Sequence, residues 1–390
     1  MVKTPGSKTF NMHTPSTRKT LAGLFLAGVA LAALTTAACG GGSSTKTPAG
    51  STASSANLGR DDKAQLTGAG ATFPAPLYQA WFDDYHAKVA KGVQINYQPV
   101  GSGGGIQQFT AGTVDFGASD APMSDSELAA APDAQHLPTA LGSVVLTYNL
   151  QGLTAPLKLD GPSIAAVYLG KIKKWNDPAL AALNPGVNLP DKDIQVAYRS
   201  DSSGTSFVFT DYLSKVSPEW KAGPGAAKAP KWLVGQGGQG NDGVTNVVKQ
   251  TPNSIGYVEL AYAKTNKLSF ADVKNKAGKF VTASLDSTSA AAAGVTIPDD
   301  YRVSITDASG DAAYPISTVT YLLVYKTSGK CAQQTPLADM LWWELHDSEA
   351  QQTMKDLYYA PLPASLVPRV ETTLKALKCD GGTKASLKGG

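Results

Sequence analysis

The chain has 390 residues, 42% hydrophobic and 17% charged, with 34 basic and 31 acidic side chains and a formal charge of +3. This composition excludes an intrinsically disordered chain. Four of the basic residues (Lys3, Lys8, Arg18, Lys19) precede Cys39, so the body of the chain is nearly neutral and gives no charge argument for nucleic acid.

Residues 1–20 hold those four cations and no acidic group, and an uncharged run from Leu21 to Ala38 meets Cys39. The pattern predicts a secretory signal over 1–38. A transmembrane helix competes, because the run is near the shortest spanning length. The signal is favoured by the small residues before Cys39 and the Ser/Thr/Gly-rich stretch behind it. Thr36-Ala37-Ala38-Cys39 is similar to a bacterial lipoprotein cleavage box, with Thr36 where a larger aliphatic residue is usual. Cleavage there puts lipid on Cys39, makes 39–63 a flexible tether, and anchors the protein in the periplasm or on the outward face of a bacterial membrane. Cys331 and Cys379 remain as an even pair in an exported protein. A disulfide is expected, with two free buried thiols as the alternative.

The roughly 330 residues beyond the tether suffice for two packed lobes. A short strand begins at Gln65 to Gly68 and leads through Thr72 and Phe73 into a helix near Pro74, whose Leu77, Trp81, Phe82 and Tyr85 share an apolar face. That stripe reads as core, whereas Thr72 is placed to cap the helix, bind an anion, or do both. A second strand, Val93 to Tyr97, feeds a glycine loop carrying Ser102 and then a helix over Gln107 to Ala111. The loop superficially matches a dinucleotide fingerprint. The glycines alone are a weak signal for that in an exported chain, and they equally allow an anion close to backbone donors.

A third strand-to-loop transition, Thr113 to Met123, presents Asp120. A carboxylate repels an anion unless a proton lies between them. It therefore accepts a protonated phosphate and rejects fully ionised sulfate. Alone, Asp120 reads as a turn or cap residue. The fourth transition is the richest: a strand over Ile194 to Tyr198, then Arg199-Ser200-Asp201-Ser202-Ser203-Gly204-Thr205, then a helix with Phe207, Val208 and Leu213 on its apolar side. Ser203, Gly204 and Thr205 fall where helix amides lack intrahelical partners, which suits an anion. Arg199 supplies a two-pronged donor and Asp201 is placed to brace it. The bland alternative is a capped surface turn with a salt bridge.

With these phrases in order, the chain resembles a periplasmic-type phosphate-binding protein, the substrate-binding component of the high-affinity phosphate ABC transporter. The resemblance rests on Leu66 to Pro76, Asn96 to Gly105, Val114 to Pro122, Tyr168 to Trp175, Arg199 to Phe207 and Gly237 to Gly243, and it extends from Leu66 to the carboxyl terminus. It implies phosphate contacts from Thr72, Phe73 (backbone), Ser102, Asp120, Arg199, Ser203, Gly204 (backbone) and Thr205, with Asp201 orienting Arg199. The family's second serine in the glycine loop is Gly103 here, which is expected to affect loop rigidity rather than the hydroxyl contact.

The implied fold is α/β: a two-lobed periplasmic-binding-protein-like fold, type II, with mixed sheets and two crossover strands. The expected division is residues 64–141 and 303–390 for lobe I and 142–302 for lobe II. The first crossover is placed at Gly142 to Asn149, and Pro315 to Tyr325 lies just after the return. The implied partners are inorganic phosphate and a phosphate ABC permease, with no cofactor and with the protein a monomer.

Between the crossovers, Lys171, Lys173 and Lys174 read as a solvated surface over a packed Trp175, and Asn241 and Asp242 as caps of a helix carrying Val244, Val247 and Val248 that support the cleft without touching ligand. Residues 267–310 show no compact metal-ligand spacing. The histidines after the signal (His86, His136, His346) are not neighbours in sequence of the oxyanion residues, and Ser203 lacks a nearby general base, so capture is favoured over catalysis. The alternatives are binding of another tetrahedral oxyanion or hydrolysis of a phosphomonoester at the cell surface.

Overall fold

The computed structural model describes residues 61–153, 155–380 and 387. The signal segment, Cys39 and nearly all of the tether lie outside them. No helix among the described residues is long and apolar enough to cross a membrane.

Among the described residues, nine strands form one mixed sheet: β1 (Ala64–Gly70), β2 (Val93–Gln98), β3 (Phe116–Ser119), β4 (Ala134–Tyr148), β5 (Gln195–Arg199), β6 (Gln236–Gly238), β7 (Ser254–Glu259), β8 (Ser269–Phe270) and β9 (Ser317–Tyr325). Their spatial order is β2-β1-β3-β9-β4-β7-β5-β6, with β8 also pairing β4. The outer strands on each side run parallel: β1 beside β2 and β3, and β5 beside β6 and β7. The middle is antiparallel, where β9 pairs both β3 and β4, and β4 pairs β7.

β4 divides the sheet. Its residues up to Ser143 face β9, while Val144 to Tyr148 face β7. Almost every side chain of β4 is buried, so its sequence shows no alternation of apolar and exposed polar residues, and its polar His136, Thr139, Ser143 and Thr147 are buried with the rest. The strand begins at Ala134, earlier than the expected Gly142. Pro138 precedes a bulge at which the register against β9 skips Thr139, a place where a strand tolerates a residue without an amide hydrogen.

The helices that follow or pack against these strands include α1 (Ala75–Asp84), α2 (Ser102–Thr110), α3 (Asp125–Ala130), α4 (Gly204–Val216), α5 (Gly240–Gln250), α6 (Leu260–Thr265) and α7 (Cys331–His346). α1 buries Leu77, Tyr78, Trp81 and Phe82, and a π-helical turn continues it through the buried Tyr85. α2 starts five residues before the expected Gln107, because Ser102 and the glycines after it are already helical. In α4 the core face is Val208, Phe209, Tyr212 and Leu213, and Phe207 is only half-buried.

Trp175 is fully buried, with its indole N–H on the Asn253 carbonyl at 2.9 Å, and Lys171 and Lys174 pair with Glu219 and Asp191 at the surface. Cys331 and Cys379 form a disulfide with Cα atoms 5.4 Å apart. It ties the start of α7 to the short parallel pairing of Thr327–Ser328 with Lys378–Cys379.

Candidate functional site

The parallel strands deliver their carboxyl ends to one place. β1 ends before Thr72, β2 leads into Ser102, β3 ends at Ser119 before Asp120, β5 ends at Arg199, and β6 leads into α5. The crevice beyond the carboxyl ends of parallel strands is where open α/β sheets bind ligands, because helix amino ends with unpaired amides face it.

Arg199 is 2% exposed and fixed on three sides. Its Nε donates to Asp201 Oδ1 at 2.8 Å, its Nη2 to Asp201 Oδ2 at 2.5 Å and its Nη1 to Thr205 Oγ1 at 3.2 Å. Burial alone raises the Asp201 carboxyl, but the Arg199 charge and hydrogen bonds, with the Gly240 amide at 3.0 Å, outweigh it and hold the group below its usual range. The pair is thus a braced guanidinium, as expected from two residues of spacing at a strand end.

Asp120 is 1% exposed. Its Oδ1 accepts from the Thr320 hydroxyl at 2.8 Å, while its Oδ2 is buried without a hydrogen-bond partner. Desolvation raises its pKa to about 7, against the lowering effects of Thr320 and Arg199. The first turn of α4 comes very near, since a β-carbon added to Gly204 would lie 2.6 Å from Asp120 Oδ2. Only glycine lets the first turn of α4 approach this carboxylate.

The hydroxyls follow a common rule. Ser102 Oγ accepts from the Asp120 amide at 3.3 Å, and Ser203 Oγ, the cap of α4, accepts from the Ser206 amide at 3.1 Å. Thr72 Oγ1 accepts from the Asn241 amide at 3.2 Å and from Asn241 Nδ2 at 2.9 Å. Thr205 Oγ1 accepts from Arg199 Nη1 and from Asn241 Nδ2, both at 3.2 Å. Each oxygen takes protein hydrogens, which leaves its own proton for something else.

Phe73 is held through its backbone. Tyr359 OH reaches the Phe73 carbonyl at 2.7 Å and Glu259 Oε2 at 3.1 Å, and Tyr262 OH donates to the Thr72 carbonyl at 2.6 Å. Burial drives Glu259 well above the ordinary carboxylate range.

The eight expected residues and Asp201 therefore lie in one linked cluster. The sequence reading missed Thr320, Glu259, Tyr262 and Tyr359, and gave Asn241 as a helix cap that supports the cleft without touching ligand. Asn241 and Asp242 sit inside the first turn of α5 rather than capping it, and the cap position, Gln239, makes no side-chain cap bond. The signal for Asn241 was its place in another glycine-rich strand-to-helix loop.

The described histidines make other contacts. His136 Nε2 accepts from the Met123 amide, and burial lowers its pKa to about 4. His86 contacts the Val93 carbonyl and His346 contacts Glu371. No group of three or more metal-ligating side chains occurs among the described residues.

The family model of the PBP superfamily domain matches residues 46–340. The phosphate-binding protein PstS of Xylella fastidiosa (strain 9a5c) is 45% identical over 310 residues, covering 79% of this chain and 84% of that protein. The chain belongs to the PstS phosphate-binding protein family. Its reach is wide: the PstS of Methanocaldococcus jannaschii is 37% identical over 313 residues, covering 74% of this chain and 80% of that protein. The fold of this PstS-family chain, two-lobed and α/β with a mixed sheet, is also that of solved structures. The phosphate-binding protein of Stenotrophomonas maltophilia has a TM-score of 0.63 at 18% identity, covering 82% of this chain and 99% of that one. A phosphate ABC transporter substrate-binding protein from Clostridium perfringens, solved with bound phosphate, has 0.58 at 17%, covering 77% and 100%.

Proposed function

We propose that this protein captures inorganic phosphate between its two lobes and delivers it to an ABC permease for import, without turnover. The observation that carries the reading is the polarity of the cluster. Four hydroxyl oxygens accept from protein donors and so keep their own protons to give, a braced guanidinium stands beside them, and Asp120 Oδ2, like Glu259 Oε1, is a buried acceptor without a hydrogen-bond partner. Such a set suits an oxyanion carrying a proton. Phosphate oxygens take hydrogens from Thr72, Ser102, Ser203, Thr205 and Arg199 and from the amides of Phe73 and Gly204, and the phosphate proton goes to Asp120. Asp201 holds the guanidinium in register.

The lobes are residues 64–141 with 303–390, and 142–302, in a type II arrangement. β4 is one crossover, supported by its change of partner between Ser143 and Val144. The segment leading into β9 is the other. Thr72, Ser102 and Asp120 then belong to one lobe and Arg199 with Ser203 to Thr205 to the other, so the ligand stabilises the closed state by contacts that the open state lacks.

The protein works as a monomer outside the cytoplasm, held at a membrane by lipid on Cys39. A binder with no pore or energy source of its own requires a permease. Isothermal titration with phosphate, sulfate and a phosphomonoester, followed by a turnover assay, tests the reading. Tight phosphate binding, weak sulfate binding and no hydrolysis are expected. Preference for sulfate, or hydrolysis of the ester, overturns it. The mass of the mature amino terminus tests the anchor: an intact signal or an unlipidated Cys39 removes it.

A further inference from the structure

We infer that Asn241 is a positioning residue that fixes the threonine hydroxyls of both lobes as donors, and so requires every ligand oxygen they meet to be unprotonated. The inference rests on the phosphate reading above and assigns a role to a residue outside the expected contact set. Asn241 is fully buried in the first turn of α5. The orientation of its amide is fixed from behind: Oδ1 accepts from the Glu259 amide at 3.0 Å, and a flipped side chain would set its NH2 group against that N–H. Nδ2 therefore faces the cleft. Its hydrogens go to Thr72 Oγ1 at 2.9 Å and Thr205 Oγ1 at 3.2 Å.

A hydroxyl oxygen has two lone pairs and one proton. Thr72 Oγ1 receives the Asn241 amide as well as Nδ2, and Thr205 Oγ1 receives Arg199 Nη1 as well as Nδ2. Both lone pairs of both oxygens are engaged. What remains on each threonine is one proton, with no capacity to accept.

A ligand hydroxyl placed against either threonine would set proton against proton, and a bare oxygen would be accepted. The ligand proton is thereby sent toward Asp120, whose Oδ2 is a buried acceptor without a hydrogen-bond partner beside the first turn of α4. Asn241 also joins elements from the two proposed lobes, since Thr72 precedes α1 and Thr205 lies in α4. It orders the donors before the ligand arrives, a pre-organisation that increases affinity by reducing the ordering cost at binding.

The test is a cycle of phosphate affinities by isothermal titration, read together with phosphate-free melting temperatures. Asn241→Ala is expected to weaken phosphate by ~10–100-fold in the native background. In a chain already carrying Thr72→Val and Thr205→Val, the same change is expected to alter affinity by less than about threefold, because the groups it orients are gone. A purely structural role would lower affinity by the same factor in both backgrounds, and that result overturns the inference.

Asn241→Asp guards against loss of folding. It keeps the shape and the acceptor for the Glu259 amide but replaces the NH2 donor with an acceptor that draws the threonine protons away from the cleft. It is expected to bind phosphate more weakly than Asn241→Ala, and a cooperative melting transition above the titration temperature shows that it folds despite the added buried carboxylate. Native-like affinity in either variant overturns the inference. Failure of the native protein to bind phosphate would instead overturn the functional reading, and the first titration separates the two cases.

Discussion

Gly103 donates its amide hydrogen to the Ser202 carbonyl at 2.9 Å, joining the first turn of α2 to the loop before α4. The two residues also fit as shapes. A β-carbon on Gly103 would lie 2.5 Å from Ser202 Cβ and 3.3 Å from the Ser202 carbonyl oxygen. The position where the family resemblance expects serine is therefore glycine because Ser202 occupies the space. Gly103→Ala is expected to hold the loops apart and weaken phosphate by ~10–100-fold, the usual cost of overpacking. Ser202→Gly in the same chain is expected to restore most of the loss. Titration of the two single variants and the double variant checks this, and a double variant no better than Gly103→Ala defeats it.

Asp120 predicts a pH dependence whose sign follows from its pKa, raised to about 7 by burial. Between about pH 4, its unfolded value, and about 7, the native state keeps a proton that the unfolded chain has lost. Stability of the unliganded protein therefore falls as pH rises through that window, by a contribution on the order of 4 kcal/mol. Asp120→Asn is expected to melt above the native protein at pH 8, with the gap closing toward pH 4.

The same titration governs selectivity. Below about pH 7 the unliganded Asp120 carries a proton and becomes a donor, which a fully ionised oxyanion can accept. Sulfate competition is expected to strengthen as pH falls through about 7 in the native protein. In Asp120→Asn it should be flat with pH, with a lower phosphate-to-sulfate ratio throughout. A native ratio and pH profile in the variant would move discrimination to the Ser203 to Thr205 cradle.

Arg199→Ala removes a guanidinium whose partner Asp201 stays nearly buried, with 12% of its side chain exposed. Phosphate and sulfate are expected to weaken together, by about 2–5 kcal/mol, because the lost group supplies charge without reading protons. Titration of both anions against this variant and Asp120→Asn separates the two roles. A change in selectivity rather than in overall affinity counts against the assignment.

Lys228 serves the cleft twice. Its carbonyl accepts the Ser203 amide at 2.9 Å, and its Nζ pairs at 2.5 Å with Glu127, which closes the capping box of α3 with Ser124. Burial raises the Glu127 carboxyl, but Lys228 and the Ser124 contacts outweigh it and leave it lowered. The pair is partly exposed, so its contribution is small and salt-sensitive. Glu127→Gln is expected to speed phosphate release a few-fold at low ionic strength and to match the native rate at about 1 M salt. Stopped-flow release at the two salt concentrations decides, and an effect unchanged by salt excludes the ion pair as its source.

The sequence by itself determined the local half of this protein. Arg199 and Asp201 stand two residues apart at a strand end, and Ser203, Gly204 and Thr205 stand where a helix begins and its amides lack intrahelical partners. The strand, loop and helix repeats that present Thr72, Ser102, Asp120 and Arg199 are set by hydrophobic period and turn residues over a few positions. Because parallel strands align their carboxyl ends, the repeats also implied that these loops share an edge.

The tertiary structure alone decided what lies between the loops. Thr320 reaches Asp120 from 200 residues away, and Asn241 reaches Thr72 from 169 residues away. A hydrogen bond in a buried cluster depends on angstrom-scale placement by the whole sheet, including a bulge in the pairing of β9 with β4, and no local pattern carries that information. The same holds for Gly103 and Ser202. Ser202 reads as an ordinary loop residue, and Gly103 as a departure from the family's serine, until the fold sets one against the other.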